Sequence, residues 1–168
     1  MLDIYTLGED VLRKKAEKVT LFDHALAILV DAMFETMEQA DGIGLAAPQI
    51  GESKRLFVID TRKDSQRYVF VNPEILETSV ETEVREEGCL SVPGVYSDVT
   101  RPHRIKVQAQ DLEGKAFVLE AEGLLARAIL HENDHLNGVL FIDRLSEQTR
   151  EAVVNAYNRK HKGKKARP

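Results

Sequence analysis

Residues His131-Glu132-Asn133-Asp134-His135, an H-E-x-x-H run inside an apolar stretch, constrain this chain more than any other segment. A helix turns about 100° per residue, so side chains four apart lie one above the other on one face. The two imidazoles then come within reach of a single metal ion, and Glu132 lies beside it, close to a water the ion would activate. The pattern predicts a helix from near Gly123 to Asn137-Gly138, a natural C-terminal stop. Leu124, Leu125, Ala126, Ala128, Ile129, Leu130 and Leu136 make it apolar on most sides, which is expected of a central helix. Leu124, Ala128 and His131 share one face, with Arg127 next to it. Leu124 and Ala128 therefore lie on the metal side, where an apolar side chain could dock.

Two histidines do not complete a hydrolytic site, because such sites usually hold three protein ligands and one open position. One protease class continues H-E-x-x-H-x-x-G-x-x-H. Here Gly138 is in place, but Phe141 stands where the last His would be, and a phenyl ring cannot bind metal. A second class takes a Glu from a later helix, and Glu147 and Glu151 are available for that role. The third candidate is Cys89, the only cysteine of the chain, within Glu86-Glu87-Gly88-Cys89-Leu90-Ser91. A thiolate is a strong ligand for a borderline-soft divalent metal, and the metal favours its deprotonation.

Gly42-Ile43-Gly44-Leu45-Ala46-Ala47-Pro48-Gln49, Glu87-Gly88-Cys89-Leu90-Ser91 and His131-Glu132-Asn133-Asp134-His135-Leu136 resemble the three signature motifs of the peptide deformylases, in that family's order and at about its spacing. The resemblance runs from Leu2 to about Tyr157. It implies a metal-dependent hydrolase that removes the N-formyl group from the initiator methionine of new polypeptides and releases formate. It makes Cys89, His131 and His135 the metal ligands and Glu132 the proton-transfer group. The backbone N–H of Leu90 and the side-chain amide of Gln49 become the donors to the oxyanion. Ile43 and Gly44 lie beside the peptide, and Leu124 and Ala128 offer a second wall for the methionine. The resemblance also makes ferrous iron the first choice of metal, while the donor set suits zinc, nickel or cobalt as well. Two positions depart from the family pattern: Leu130 stands where a Gln is usual, and Tyr96 lies where some members carry an Arg. Arg101 matches a family arginine near the site, with Asp41 or Glu87 as its expected partner.

The rest of the chain sets the frame. Its 168 residues fit one domain, expected over residues 1–158 as the catalytic unit, with a basic tail over 159–168. Leu26, Leu29, Val30, Met33, Phe34 and Met37 predict an amphipathic helix, N-capped by Asp23 and ended by Asp41-Gly42. Strands are expected over 55–59, 68–71, 79–85, 104–110 and 115–120, punctuated by Pro73, Pro93 and Pro102. A last helix follows Ser146 and runs past Tyr157. The fold class is α+β: a central H-E-x-x-H helix surrounded by antiparallel β-sheets, with an N-terminal amphipathic helix and a C-terminal helix. Gly42 and Gly44, flanking Ile43, permit either a turn or a close backbone approach.

A net charge of −5 supplies no argument for DNA binding, and no apolar run is long enough to span a membrane. A single cysteine and an N-terminus without a basic or apolar leader fit a cytoplasmic protein. The tail carries Arg159, Lys160, Lys162, Lys164, Lys165 and Arg167 and no acid, so it is either a solvated end or a phosphate-binding ribosome contact. His24, His103 and His161 belong to no constellation. The competing function is an H-E-x-x-H metallopeptidase with a different third ligand.

Overall fold

The stripe Leu26, Val30, Met33, Phe34 and Met37 is buried along one face of helix α1, His24–Gln39. Asp23 caps it as expected, its Oδ1 accepting from Leu26 N at 3.0 Å. A computed structural model describes residues 1–64 and 66–163. In these, α1 is followed by strands β1 (Gly44–Ala46), β2 (Leu56–Ile59), β3 (Tyr68–Thr78), β4 (Thr82–Cys89), β5 (Val92–Pro102), β6 (Arg104–Gln110) and β7 (Ala116–Glu122). Helices α2 (Gly123–Leu136) and α3 (Glu147–Lys160) complete the chain, with short 3₁₀ turns at Asp10–Arg13, Ala47–Ile50 and Phe141–Arg144. The class is α+β, as expected.

All strand pairs are antiparallel. One sheet has the order β1-β2-β3-β6-β7, and β4 and β5 form a separate hairpin. Strand side chains alternate between faces, and β2 is buried on both. Phe57 and Ile59 join Phe70, Val107, Ala126 and Ile129 in a core under α2. Leu56 and Val58 join Val30, Met33, Met37 and Val71 in a core under α1. The sheet is therefore clamped between two helices, and β1 at its edge lies against both. A third core, around Val92, Val99, Phe141 and Tyr157, packs α3 onto the hairpin. Among the described residues no helix is long and apolar enough to cross a membrane.

The strand expectations need correction in the middle of the chain. A strand over 68–71 continues through Pro73 to Thr78, because the register shifts between Val71 and Glu74 and the proline meets no regular ladder. Asn72 takes φ +50 at this bulge and its side chain secures it, bonding Val19 N and O, each at 2.8 Å. The strand expected over 79–85 starts and ends later and delivers Cys89, which pairs with Val92. β5 was not expected at all: Pro93 and Pro102 fall near its ends, and the long alternation between them was masked. Of the turn or close approach expected at Gly42 and Gly44, Gly44 takes the second, as the first residue of β1 packed against Glu132. Gly138 does end α2: it has φ +74, and a Cβ there would lie 2.5 Å from the carbonyl oxygen of Arg13. α3 starts as predicted, with Ser146 Oγ accepting from Thr149 N at 3.2 Å. It carries Arg159 and Lys160 as its last two residues, and tail residues 164–168 lie outside the described residues.

Candidate active site

Cys89 comes from the end of β4, and His131 and His135 from one face of α2. Their donor atoms all lie within 4.8 Å of one another, and Cys89 Sγ is 3.3 Å from His135 Nε2. Among the described residues this is the sole group of three or more Cys, His, Asp or Glu side chains with such spacing. Glu147 and Glu151 are exposed on α3 and do not join it. Phe141 is buried, and its ring stacks on His131 with centroids 6.3 Å apart.

His131 is oriented by Glu87, which sequence reasoning named only as a partner for Arg101. Glu87 Oε1 lies 2.9 Å from His131 Nδ1, which leaves Nε2 for the centre. The carboxylate also accepts from Arg101 Nε at 2.6 Å, Arg101 Nη2 at 3.0 Å and Arg127 Nη1 at 2.6 Å. Each of its oxygens therefore accepts two bonds, the full capacity of an ionised carboxylate. Burial by itself pushes the Glu87 carboxyl up, but bonds from His131 and Arg101 outweigh it and hold the group well below the usual carboxylate range. Arg101 thus pairs with Glu87, while Asp41 pairs with Arg62 at 2.9 Å. Arg101 Nη1 reaches on to Asp134 at 3.1 Å, and Arg144 closes the chain of charges with Nη2 2.7 Å from Asp134.

Glu132 lies in the opposite situation. It is 4% exposed, and its Oε1 has no hydrogen-bond partner among the described residues. Burial raises its pKa to about 7, against the pull of the His131 charge and with help from Glu87. The space around the carboxylate is made by Gly44, where a Cβ would stand 2.6 Å from Glu132 Oε2. Gly44 is extended in β1, and what it permits is close approach rather than a left-handed turn. Gln49 is 1% exposed. Its Oε1 accepts from Ala46 N at 2.9 Å, so its Nε2 faces inward, donating to Ser91 Oγ at 3.0 Å with Cys89 Sγ at 3.6 Å. Ser91, the last residue of its motif, is fully buried, and its role as acceptor for Gln49 emerges only when the fold brings the two together.

Gly44, Gln49, Glu87, Cys89, Arg127, His131 and Glu132 line a cleft of about 510 Å³ that also includes Ile43, Leu90, Leu124 and Ala128. Every residue given a metal, catalytic or substrate-binding role from the sequence thus borders the cleft, except His135, which is 1% exposed. Tyr96 is 63% exposed on the wall, its ring over Gly88. Leu130 is half-buried against the core under α2, away from the cleft lining. The donor chemistry fits a divalent cation. With Glu87 on its Nδ1, His131 keeps Nε2 for the point where the three donors converge. Burial lowers the pKa of His135 well below the usual value and keeps it neutral, as a ligand must be. The partnerless Glu132 oxygen would accept from a water that such an ion polarised.

Comparison with known proteins agrees with this arrangement. Residues 1–151 match the family model described as polypeptide deformylase. A peptide deformylase of Chromobacterium violaceum is 50% identical over 163 residues, 96% of this chain and 97% of that protein. The crystal structure of the Thermus thermophilus peptide deformylase has a TM-score of 0.88 at 46% identity, covering 95% of this chain and 94% of that one. The Synechococcus elongatus peptide deformylase, solved in complex with actinonin, also has a TM-score of 0.88, at 45% identity, covering 99% of this chain and 92% of that one. With its family model spanning most of its length and its fold shared with these structures, the chain belongs to the polypeptide deformylase family.

Proposed function

We propose that Cys89 Sγ, His131 Nε2 and His135 Nε2 hold one divalent ion, and that Glu132 moves the proton with which this peptide deformylase removes the formyl group from new polypeptides. The observation that carries the proposal is the convergence of three donor atoms within 4.8 Å beside a buried carboxylate with a partnerless oxygen. An ion held there would supply Lewis acidity, drawing the pKa of water from about 15.7 towards neutrality. Glu132 takes a proton from the attacking water and passes it to the departing amine nitrogen as the C–N bond of the formamide breaks. Formate and a free N-terminus result. Gln49 Nε2 and the Leu90 N–H donate to the formyl oxygen as it gains charge, neither adding a titratable group. Ile43 and Gly44 guide the peptide along the edge strand β1, and Leu124 and Ala128 form the wall against which the methionine side chain packs.

Ferrous iron is our first choice of ion, from the family resemblance; zinc, nickel and cobalt fit the same donors. We assign residues 1–158 to a single catalytic domain in the cytoplasm, with no affinity for DNA, and the basic residues beyond it to a phosphate contact on the ribosome. Lys160 donates to Gly94 O at 2.5 Å and His161 stacks on Tyr157, so a truncation that spares the body begins at Lys162. That truncation leaves hydrolysis of free peptides unchanged and weakens ribosome association, most visibly at low salt. Equal binding at every salt concentration makes the tail only a solvated end.

Anaerobic assay of protein loaded with a single metal, on formyl-Met-Ala-Ser and its acetylated analogue, tests the central assignment. The formyl carbon carries a hydrogen, so the site needs no room for a methyl group. Hydrolysis of the formyl peptide with little or none of the acetyl analogue is expected. Equal turnover of both, or cleavage of an internal peptide bond, overturns it.

A further inference from the structure

Cys89 reaches the centre from the β4–β5 hairpin and both histidines from α2, so the three donors keep their geometry only if hairpin and helix stay docked. Three contacts cross that joint: His131 with Glu87, Arg101 with Asp134, and Arg127, which alone of these also holds the hairpin backbone. Arg127 leaves α2 one turn before His131, and its side chain is 7% exposed. Its Nη1 donates to Glu87 Oε2 at 2.6 Å and to Val99 O at 2.8 Å. Its Nη2 donates to Glu83 O at 2.8 Å. One planar fork thus holds a backbone carbonyl on each strand of the hairpin, together with the carboxylate that orients His131. The charges agree with this role. Inside the cluster, the carboxylates of Glu87 and Asp134 face the guanidiniums of Arg101 and Arg127, and Arg144 stands at the half-exposed end. Without Arg127 the buried part of the cluster is one cation short, directly beside the thiol and Glu132.

We propose that Arg127 is a positioning residue for the metal centre: by clamping the hairpin to α2 through Glu87, it sets the separation of Cys89 from His131 and His135. The inference rests on the assignment of those three residues as ligands. A lysine cannot substitute, because a single ammonium on a flexible stem reaches the carboxylate or a carbonyl but cannot present a rigid fork to all three acceptors.

The test uses the full chain loaded with cobalt(II), whose thiolate-to-metal charge-transfer absorption reports the Cys89–metal bond. Wild type, Cys89→Ser, Arg127→Lys and Arg127→Met are compared in absorption, in the rate at which EDTA strips the cobalt, and in melting temperature. The wild type should show the thiolate band and Cys89→Ser should lose it. Both Arg127 variants should fold, show a shifted or weakened band, and release cobalt about 10-fold faster or more, the usual consequence of disturbing groups that orient metal ligands. A wild type without the thiolate band overturns the ligand assignment itself. If the wild type shows the band and the Arg127 variants match it in band and release rate, Arg127 serves only the fold and the inference fails, even if they melt earlier. Failure of both variants to fold overturns it in the same way.

Discussion

Helices α1 and α2 have 16 and 14 residues and press on opposite faces of one sheet, yet α2 alone buries charged and metal-binding side chains beside its apolar ones. The buried face of α1 is Leu26, Val30, Met33, Phe34 and Met37, with Thr36 the single polar member, and Thr36 satisfies itself on Ala32 O at 2.8 Å. α2 buries Arg127, Glu132, Asp134 and His135 beside Ala126, Ala128, Ile129 and Leu136. Each apolar side chain sealed under α1 contributes about 1.5–3 kcal/mol. Charges sealed under α2 lose hydration and recover it only where partners are complete, as at Glu87 and Asp134. At Glu132 Oε1 and His135 Nδ1 they are not complete among the described residues. The difference teaches a division of labour: α1 supplies stability that α2 spends on a prepared site.

The comparison can be broken most decisively at Glu132. Glu132→Gln keeps the shape and removes the base, so metal content should survive while the rate falls by ~10²–10⁴, the range of general acid–base catalysis. The melting temperature should hold or rise, since a buried charge without a full set of partners has gone. Near-normal turnover in metal-loaded protein would show that proton transfer belongs elsewhere. The mirror experiment is Met33→Ala on α1, at a position with 0% exposure. Denaturant titration should show a loss of about 2–5 kcal/mol, with kcat per folded molecule unchanged. A large drop in kcat of the folded fraction would mean that the two faces are not separate in function.

Gly44→Ala sharpens the comparison where the sheet edge meets α2. The added methyl would sit 2.6 Å from Glu132 Oε2, so strand or carboxylate must shift. A misplacement of about 1 Å can cost about 10²-fold in rate, and stability should change far less than for Met33→Ala. Wild-type kinetics in this variant would remove Gly44 from the site.

The smallest effect probes the rim of α2. Arg13 bonds Asp143 at 2.5 Å and also Gly138 O at 3.1 Å. Burial pushes the Asp143 carboxyl up, but Arg13 and the Leu140 N–H outweigh it and hold the pKa below the usual value. A carboxyl whose folded pKa is depressed adds stability above its unfolded pKa of about 3.9, and that stability is lost as pH falls through the folded value. Arg13→Met should therefore be less stable than wild type at pH 7, by a gap that narrows near pH 3. The gap is small because the Arg13 side chain is 40% exposed. A gap that stays constant with pH would assign the loss to packing of the arginine stem instead.

What could be read in the chain followed the range of the interactions. The cap at Asp23, the stop at Gly138 and the facing of His131 and His135 are contacts within one or two turns, so spacing alone reveals them. The three motifs named the family, and the fold then brought their members to one cleft. β5 and the second half of β3 were hidden because prolines read locally as breaks, whereas strand ends and a bulge accommodate them. Gly44 announced a close approach but not its object, since Glu132 arrives from a distant helix.

By itself, then, the sequence determined the class of chemistry, the two helices that frame it and the residue types at the centre, because a helical repeat and a motif are local patterns. Only the tertiary structure decided which charges meet. Glu87 lies 40 residues from Arg127 and 44 from His131, and nothing in their neighbourhoods says that these three side chains meet. Their pairing arises because the hairpin docks on α2 and removes water from all of them at once, and a buried charge has to find a partner at whatever sequence distance the fold provides.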